Sequence, residues 1–281
     1  MAASHGYQTL RWHTENRVGW LRIGQPPSNQ MTIQFFREFS DWVDSVSDDA
    51  GLKAIIIHGT GRHFSSGADL SELLANLSNE SMLENYRCFQ KLEKMNVPVI
   101  SAIGGVCLGS AFELALFSHF RICSDDAVIG LPETSFNLMP GIGGIGRMVT
   151  LAGKARALEL ILRGMTLPAT EAGNLNMVDA VVPKRELKDI ALTLAISLPE
   201  PFHVEFRQVY IEKYLRRKKH DKIIRQEMPE KHGDIFVKIT GSGSFLPGKP
   251  IPADEVDHYL GNLTGAPEKI RKWLTRVRIL M

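Results

Sequence analysis

The sequence is poor in cysteine and has no long apolar run. Its three cysteines, Cys88, Cys107 and Cys123, lack CxxC spacing, and this usage predicts buried, reduced thiols. No stretch approaches the roughly 18 consecutive apolar residues that a membrane span needs, and residues 1–14 lack the apolar core of a secretory signal. We therefore predict a cytoplasmic protein without membrane contact. The mature form of a mitochondrial matrix protein, with its leader removed, would show the same features.

The chain has little net charge, but the charge is unevenly distributed. The net charge is +2, yet residues 201–281 hold 16 Lys/Arg against 10 Asp/Glu, and residues 1–200 hold 17 against 21. The densest basic run, Arg-Arg-Lys-Lys at residues 216–219, is interpreted as a solvated helix face. Nucleic acid, an acidic cofactor phosphate or a partner protein are the alternatives, and the lack of interleaved aromatic residues makes nucleic acid a weak one.

Short apolar runs alternate with helical periodicity over the first 200 residues, which predicts an α/β fold with largely parallel strands. The strand candidates are residues 19–23, 53–58, 97–103, 120–123 and 127–129. The helix candidates are residues 33–46, 82–95, 109–117, 145–151, 154–162, 186–198, 202–219 and 267–280. Residues 201–281, with a Gly/Ser/Pro-rich stretch at 241–252, differ in character and are assigned to a separate C-terminal region after a core at residues 1–200.

Two predicted strand-to-helix turns are rich in small residues. They are GTGRHFSSGADL at residues 59–70 and GGVCLGSAFEL at residues 104–114. Small residues let a ligand approach the backbone, and the free N–H groups of a helix N-terminus attract negative charge. The second turn leads into an apolar helix that contains Glu113, a carboxylate that is costly to bury without a partner. A surface-facing glutamate that stabilises the helix N-terminus is the alternative.

A third turn, LPETSFNLMPGIGG at residues 131–144, displays Glu133 behind Pro132. Residues 141–146 also match GxGxxG, the dinucleotide-binding fingerprint. No clean strand precedes this match, and no acidic residue about 20 positions on completes it, so we set the dinucleotide interpretation aside.

These three segments, in this order and with 20 positions from Glu113 to Glu133, resemble the crotonase superfamily and within it the enoyl-CoA hydratases. The resemblance covers roughly residues 8–200 and includes ATEAGNLNMVDAVVP at residues 169–183, which is similar to the family's helix and strand after the site. It implies the crotonase fold, an α/β spiral of ββα repeats with two near-perpendicular sheets and a helical C-terminal part. It also implies a homotrimer or a dimer of trimers.

The resemblance further implies catalytic roles. The N–H groups of Ala68 and Ser110 would form an oxyanion hole for the carbonyl of an acyl-CoA thioester. Glu113 would activate a water for attack at the β-carbon, and Glu133 would deliver a proton to the α-carbon. No metal and no other cofactor is implied, because coenzyme A is part of the substrate.

Other residues near these four are implied to contact the substrate. This set is Ser28, Asn29, Ser66, Gly67, Asp69, Leu70, Gly109 and Gly141. The apolar candidates for a pocket wall, equally well explained by ordinary packing, are Leu73, Leu74, Met82, Leu83 and Phe136. Three features depart from the family: Ser110 stands where hydratases usually have glycine, Ser71 replaces an expected basic residue, and residues from 201 onward lack a detailed counterpart.

The presence of both glutamates favours hydration or dehydration of an α,β-unsaturated acyl thioester. The alternatives within the superfamily are double-bond isomerisation, C–C bond hydrolysis and polyketide-type dehydration, and a carrier-protein thioester could replace CoA. An alternative of another class is a protein that binds RNA or a partner through the basic residues 201–281. Such RNA binding would weaken steeply with salt.

Overall fold

The computed structural model describes residues 6–76 and 79–216, and these residues form a mixed α/β structure with two sheets. In chain order the strands are β1 (Leu10–Glu15), β2 (Val18–Ile23), β3 (Ala54–Gly59), β4 (Val99–Ile103), β5 (Val106–Leu108), β6 (Phe120–Ser124), β7 (Val128–Gly130), β8 (Thr166–Pro168) and β9 (Ala180–Val182). The larger sheet has the order β1-β2-β3-β4-β6-β9, and the smaller sheet has the order β5-β7-β8. The predicted α/β class is confirmed.

Parallel pairing predominates in both sheets. In the larger sheet only β1 and β2 are antiparallel, and each later pair is parallel. In the smaller sheet β5 and β7 are parallel, whereas β7 and β8 are antiparallel. Because β2, β3 and β4 run in the same direction, the loops that follow them emerge at one edge of the sheet. Ligand sites of parallel sheets lie at this carboxyl edge.

Nine α-helices surround the sheets within the described residues. They are α1 (Ile33–Val46), α2 (Leu70–Asn76), α3 (Asn79–Glu93), α4 (Ser110–Phe117), α5 (Gly144–Ala152), α6 (Lys154–Leu162), α7 (Ala169–Asn174), α8 (Leu187–Ser197) and α9 (Arg207–Tyr210). Three 3-10 helices cover Glu133–Phe136, Lys184–Glu186 and Val204–Phe206, and a π-helix covers Ile211–Arg216. The helix and strand predicted within residues 169–183 correspond to α7 and β9.

Helix α1 matches its predicted bounds because its sequence carries both a cap and a clear apolar face. The Thr32 hydroxyl accepts a hydrogen bond from the Phe35 N–H at 3.2 Å, which satisfies a free donor at the helix start. The buried apolar residues of the helix recur at helical spacing and are Phe35, Phe39, Trp42, Val43 and Val46.

The larger sheet is buried on both faces. Along β3, Ile55 and Ile57 belong to one apolar cluster, together with residues of α1, α3 and α4. Ala54 and Ile56 belong to a second cluster, together with residues of α8. Successive side chains of a strand point to opposite faces, so the unbroken apolar run of β3 is what a doubly covered parallel strand requires.

The C-terminal part departs from the single long helix predicted for residues 202–219. Between Val204 and Arg216 the chain forms successive 3-10, α and π segments. Tyr210 and Ile211 are buried in the second apolar cluster. The helix predicted for residues 267–280, the Gly/Ser/Pro-rich stretch and all but the first residue of the basic run at 216–219 lie outside the described residues. The division into regions at residue 200 stays a prediction.

No helix in the described ranges is long and apolar enough to cross a membrane. All three cysteines, Cys88, Cys107 and Cys123, are free and buried, as predicted.

Candidate active site

The two small-residue turns lie side by side. The Ser65 N–H donates to the Val106 carbonyl at 3.0 Å, and the Leu108 N–H donates to the Ser65 carbonyl at 3.2 Å. Gly67 continues this contact: it has a φ of 94°, and a methyl group built on it would lie 2.6 Å from the Leu108 carbonyl oxygen. Only glycine allows such an approach, so the two turns are held together by backbone.

The N–H groups of Ala68 and Ser110 follow directly on this junction. Neither of them donates a hydrogen bond to any other described residue. Ser110 is the first residue of α4, where an N–H has no partner within its own helix. The neighbouring Gly109 N–H is used, since it donates to the Gly130 carbonyl at 3.0 Å. The geometry therefore leaves the two predicted oxyanion donors available.

Glu113 lies one turn into α4 and is 1% exposed. Its Oε1 accepts hydrogen bonds from the Ile142 N–H at 2.8 Å and from the Gly144 N–H at 2.9 Å. These two donors offset part of the cost of burying the carboxylate and orient it. The alternative of a surface-facing glutamate is wrong.

Glu133 begins the short 3-10 helix that follows β7. Its Oε2 is buried and has no hydrogen-bond partner within the described part of the chain. Its Oε1 faces Gly109, because a methyl group built on Gly109 would lie 3.3 Å from that oxygen. The carboxyl group of Glu133 thus lies next to Gly109, the residue that precedes α4.

Both carboxyl groups have raised pKa values. Burial raises the pKa of Glu113 to about 7, against the opposing effect of the Gly144 N–H, and the charge of Glu133 raises it further. Burial likewise raises the pKa of Glu133 to about 7. A carboxyl group with a pKa near neutrality can either take up or release a proton under ordinary conditions.

Aromatic and thioether side chains of α3 cover the loop that binds Glu113. The methyl group of Met82 lies 1.5 Å from the position that a Cβ would occupy at Gly141. One turn further along the helix, Tyr86 lies 2.8 Å from the corresponding position at Gly143. Met82 is half-buried, whereas Leu83 and Phe136 are 46% and 54% exposed. Leu73 is half-buried, and the Leu74 side chain is not among those that the structure describes.

Several predicted substrate contacts hold the loops together. The Ser28 carbonyl accepts from the Ser66 N–H at 2.9 Å. Asn29 is fully buried, and its Nδ2 donates to the carbonyls of Thr60 at 2.9 Å and His63 at 2.8 Å. The Asn29 side chain therefore links the loop after β2 to the loop after β3. Direct contact of Ser28, Asn29 or Ser66 with CoA stays a prediction.

Asp69 and Leu70 lie at the start of α2. The Asp69 carboxylate accepts from the Ser71 N–H at 2.9 Å and the Glu72 N–H at 3.1 Å, so it caps the helix. The Ser71 hydroxyl also donates to it and is the leading cause that lowers the Asp69 pKa. Ser71, noted for replacing a basic residue, thus supports this cap. Leu70 is half-buried, and its contact with substrate stays a prediction.

The sequence reasoning missed Ile142 and Gly144, the two donors to Glu113. Of residues 141–144, only Gly141 was predicted to lie at the site. The available signal was the glycine-rich helix start after Pro140, because such starts carry free N–H groups. In the structure this stretch follows a 3-10 helix rather than a strand, in line with setting the dinucleotide interpretation aside.

Metal-ligating residues are not grouped near the glutamates. Across residues 6–76 and 79–216, no cluster of three or more His, Cys, Asp or Glu side chains could hold a metal ion. The expectation that the reaction needs no metal and no further cofactor stays untested.

Comparison with known proteins identifies the class to which this fold and site belong. The sequence profile of the enoyl-CoA hydratase/isomerase family matches residues 13–234. A probable enoyl-CoA hydratase of Bacillus subtilis is 39% identical over 188 residues, which cover 65% of this chain and 73% of that protein. A probable enoyl-CoA hydratase of Mycobacterium tuberculosis is 32% identical over 196 residues, 69% of this chain and 76% of that protein.

Other relatives are much longer than this chain. The fatty acid oxidation complex subunit alpha of Shewanella loihica is 36% identical over 196 residues, which cover 66% of this chain but only 28% of that subunit.

Solved structures agree with this assignment. An enoyl-CoA hydratase from Bacillus anthracis is 27% identical with a TM-score of 0.64, and the match covers 78% of this chain and 92% of that one. A Thermobifida fusca structure solved in complex with CoA has the same TM-score at 23% identity, covering 80% and 96% of the two chains, and shows the likeness of fold. The molecule is thus an enzyme of the crotonase fold, as predicted. The chain belongs to the enoyl-CoA hydratase/isomerase family, and it is hydratase-like.

Proposed function

We propose that the protein adds water to, or removes it from, the double bond of an α,β-unsaturated acyl-CoA. In the direction of hydration, the oxygen of water bonds to the β-carbon while one proton of that water passes to a glutamate. The electron pair of the double bond moves to the thioester as an enolate, and the α-carbon then takes a proton. The observation that carries this proposal is the convergence of two carboxyl groups with raised pKa values beside two backbone N–H groups that donate to no described residue.

The N–H groups of Ala68 and Ser110 suit the enolate oxygen. An enolate places negative charge on the former carbonyl oxygen, and fixed donors stabilise that charge as it develops. The glycine contact between the two turns supports this role, because it keeps both donors on rigid backbone. The Ser110 side chain does not remove the donor, since the N–H belongs to the backbone.

The surroundings of the two glutamates support different roles. Glu113 is held by the two N–H donors of Ile142 and Gly144, which favour its ionised form, so it is the base that takes the proton from water. Oε2 of Glu133 is buried without a hydrogen-bond partner among residues 6–76 and 79–216, which favours the protonated form of this carboxyl group. Since Glu133 lies against Gly109, next to Ser110, its proton is near the thioester end of the substrate, where the α-carbon would lie.

The substrate and assembly belong to the same proposal. The acyl group is carried by CoA, no metal or further cofactor takes part, and the assembly is a homotrimer or a dimer of trimers in the cytoplasm. The fold shared with the CoA-bound Thermobifida fusca structure supports the CoA part of this proposal.

The test is hydration of crotonyl-CoA by the purified full-length protein, followed as loss of the absorbance of the conjugated thioester. Glu113→Gln and Glu133→Gln should each lower kcat by about 100- to 10,000-fold, the usual contribution of a general acid or base. The matched control is Glu159→Gln, a glutamate on α6 with a side chain that is 41% exposed. Unchanged rates in both site variants, or loss of activity in the control alone, would contradict the proposal.

A further inference from the structure

The two proposed oxyanion donors are held in different ways. The Ser110 N–H belongs to the peptide group whose carbonyl, that of Gly109, accepts a hydrogen bond from the Glu113 N–H at 2.9 Å. This bond is part of the first turn of α4, so the helix itself fixes the donor. Ala68 instead precedes α2, which begins at Leu70. No turn of a helix holds its N–H, and the support comes from another segment.

Backbone contacts with Met31 orient the peptide group that contains the Ala68 N–H. The carbonyl of this group belongs to Gly67 and accepts a hydrogen bond from the Met31 N–H at 2.9 Å. The peptide group is trans and planar, so its C=O and its N–H point in opposite directions. The Asp69 N–H completes the contact by donating to the Met31 carbonyl at 3.1 Å. Met31 therefore directs the Ala68 N–H away from itself and fixes that direction.

The Asn29 side chain, two residues before Met31, holds this segment on the loop after β3. The side chain is 0% exposed, and its Nδ2 donates to the carbonyls of Thr60 at 2.9 Å, His63 at 2.8 Å and Phe64 at 3.3 Å. A reversed amide would place Oδ1 against three acceptors, so the orientation of the amide is unambiguous. One buried donor group thus serves three carbonyls of the loop that leads to the oxyanion donor.

Two backbone features accommodate the Asn29 amide. A methyl group built on Gly59 would lie 2.8 Å from Asn29 Nδ2, so the contact requires glycine there. The backbone at Asn29 has a φ of 51°, a left-handed conformation that asparagine adopts more readily than most residues. Its Oδ1 is buried and has no hydrogen-bond partner among residues 6–76 and 79–216. The amide is therefore placed for its donor, although an unpaired buried acceptor is unfavourable.

We propose that Asn29 is a positioning residue for the oxyanion donor at Ala68, an inference that rests on the proposed function. Its buried side chain does not reach a substrate. It acts through Met31, whose N–H holds the Gly67 carbonyl and so aims the Ala68 N–H at the thioester oxygen. When the Asn29 donor is removed, no side-chain amide ties the two loops together, and the Ala68 N–H is less well fixed.

The test compares Asn29→Gly and Asn29→Asp with the native full-length protein. Glycine and aspartate both tolerate the left-handed backbone, and aspartate also keeps the size of the side chain while it replaces the donor by an acceptor. The matched control is Asn176→Gly, because Asn176 has a φ of 57° and lies at an exposed position. Hydration of crotonyl-CoA gives kcat and KM for each protein.

A second readout reports on the donor without turnover. Butyryl-CoA has no double bond to hydrate, and hydrogen bonds to its isotopically labelled carbonyl lower the frequency of the C=O stretch in the infrared spectrum. We expect both Asn29 variants to lower kcat by about tenfold or more with KM within about twofold of native, because misplaced fixed groups mainly affect the chemical step. The carbonyl band of bound butyryl-CoA should move to higher frequency in both variants. Asn176→Gly should match the native protein in all three quantities.

The other outcomes contradict the inference. An unchanged carbonyl band and kcat in both Asn29 variants, with only a lower resistance to urea, would make Asn29 a purely structural residue. A raised KM with an unchanged band would place its effect on the binding of CoA. Equal losses in Asn176→Gly would show a general response to loss of stability. Failure of the native protein to hydrate crotonyl-CoA would refute the proposed function alone, because the carbonyl band still decides the role of Asn29.

Discussion

Replacing Glu113 by glutamine should stabilise the protein at alkaline pH while it lowers kcat by about 100- to 10,000-fold. The perturbation keeps the shape of the side chain, and the amide oxygen can still accept from the N–H groups of Ile142 and Gly144. What it removes is a buried ionisable group, whose pKa rises from 4.5 to about 7 in the folded protein. The variant therefore isolates the free-energy cost of ionising this carboxylate inside the fold.

The sign and the magnitude follow from linkage. Below pH 4.5 the carboxyl group is protonated in both states, so its raised pKa costs no stability. Between pH 4.5 and about 7 the unfolded chain releases the proton and the folded protein does not, so the native protein loses stability as the pH rises. Above pH 7 the native protein has lost the full amount of stability, about 3 kcal/mol for a pKa that rises from 4.5 to about 7. Glutamine does not titrate, so its advantage should grow from about zero at pH 4.5 to about 1–3 kcal/mol at pH 8.

The assay is urea denaturation of both proteins at pH 4.5, 6 and 8, all at one protein concentration, because any self-association would contribute to the measured stability. The free energy of unfolding of Glu113→Gln minus that of the native protein should increase with pH. A difference that is constant across this range, or one that decreases, would refute the view that Glu113 is buried with a raised pKa.

Two further predictions concern the loop around Glu113. Gly144→Ala should lower kcat about tenfold or more with little effect on KM, because the added methyl group would lie 2.9 Å from Glu113 Cγ. The control is Gly146→Ala, whose methyl group would meet no atom within 4 Å, and its kcat should stay near the native value. Met82→Ala should raise the kcat/KM ratio of decenoyl- to crotonyl-CoA by about tenfold, because it removes the side chain over Gly141. Leu83→Ala, at a 46% exposed neighbour, should leave that ratio unchanged; an equal change in both variants would be evidence against a wall role for Met82.

The elements that were predictable from the sequence are those with strong local signals. Helix α1 has its cap at Thr32 and an apolar face at regular spacing. Strand β3 is a run of β-branched residues, and its burial on both faces follows from that run. By contrast β1 alternates polar and apolar residues on an edge strand and was not predicted. The three-residue strands β5 and β8 were also not predicted, because runs this short carry little periodicity.

The candidate site was predictable in its residues but not in its geometry. Glu113 and Glu133 were found from turn composition and spacing together with the resemblance to a family. The donors that hold Glu113 lie 29 and 31 positions away along the chain, and only tertiary structure brings them together. The same holds for Asn29, whose buried side chain binds carbonyls 31 and 34 positions away. No local pattern signals contacts of this range.

The ion pairs that Asp179 makes with Arg121 and Arg207 gave no sequence signal either. Arg121, Asp179 and Arg207 are separated by many residues, and each resembles an ordinary surface charge in the sequence. Their meeting depends on the pairing of β6 with β9 and on the packing of the segment around α9.

The measurement that tests the central claim most directly is conversion of crotonyl-CoA in D₂O, with the product examined by NMR. If Glu113 and Glu133 add water across the double bond, the product is 3-hydroxybutyryl-CoA with one deuterium at the α-carbon, and Glu133→Gln forms it at a rate lower by about 100-fold or more. A product that retains a double bond, a cleaved C–C bond, or deuterated hydroxyacyl-CoA formed at an unchanged rate by Glu133→Gln would contradict the account.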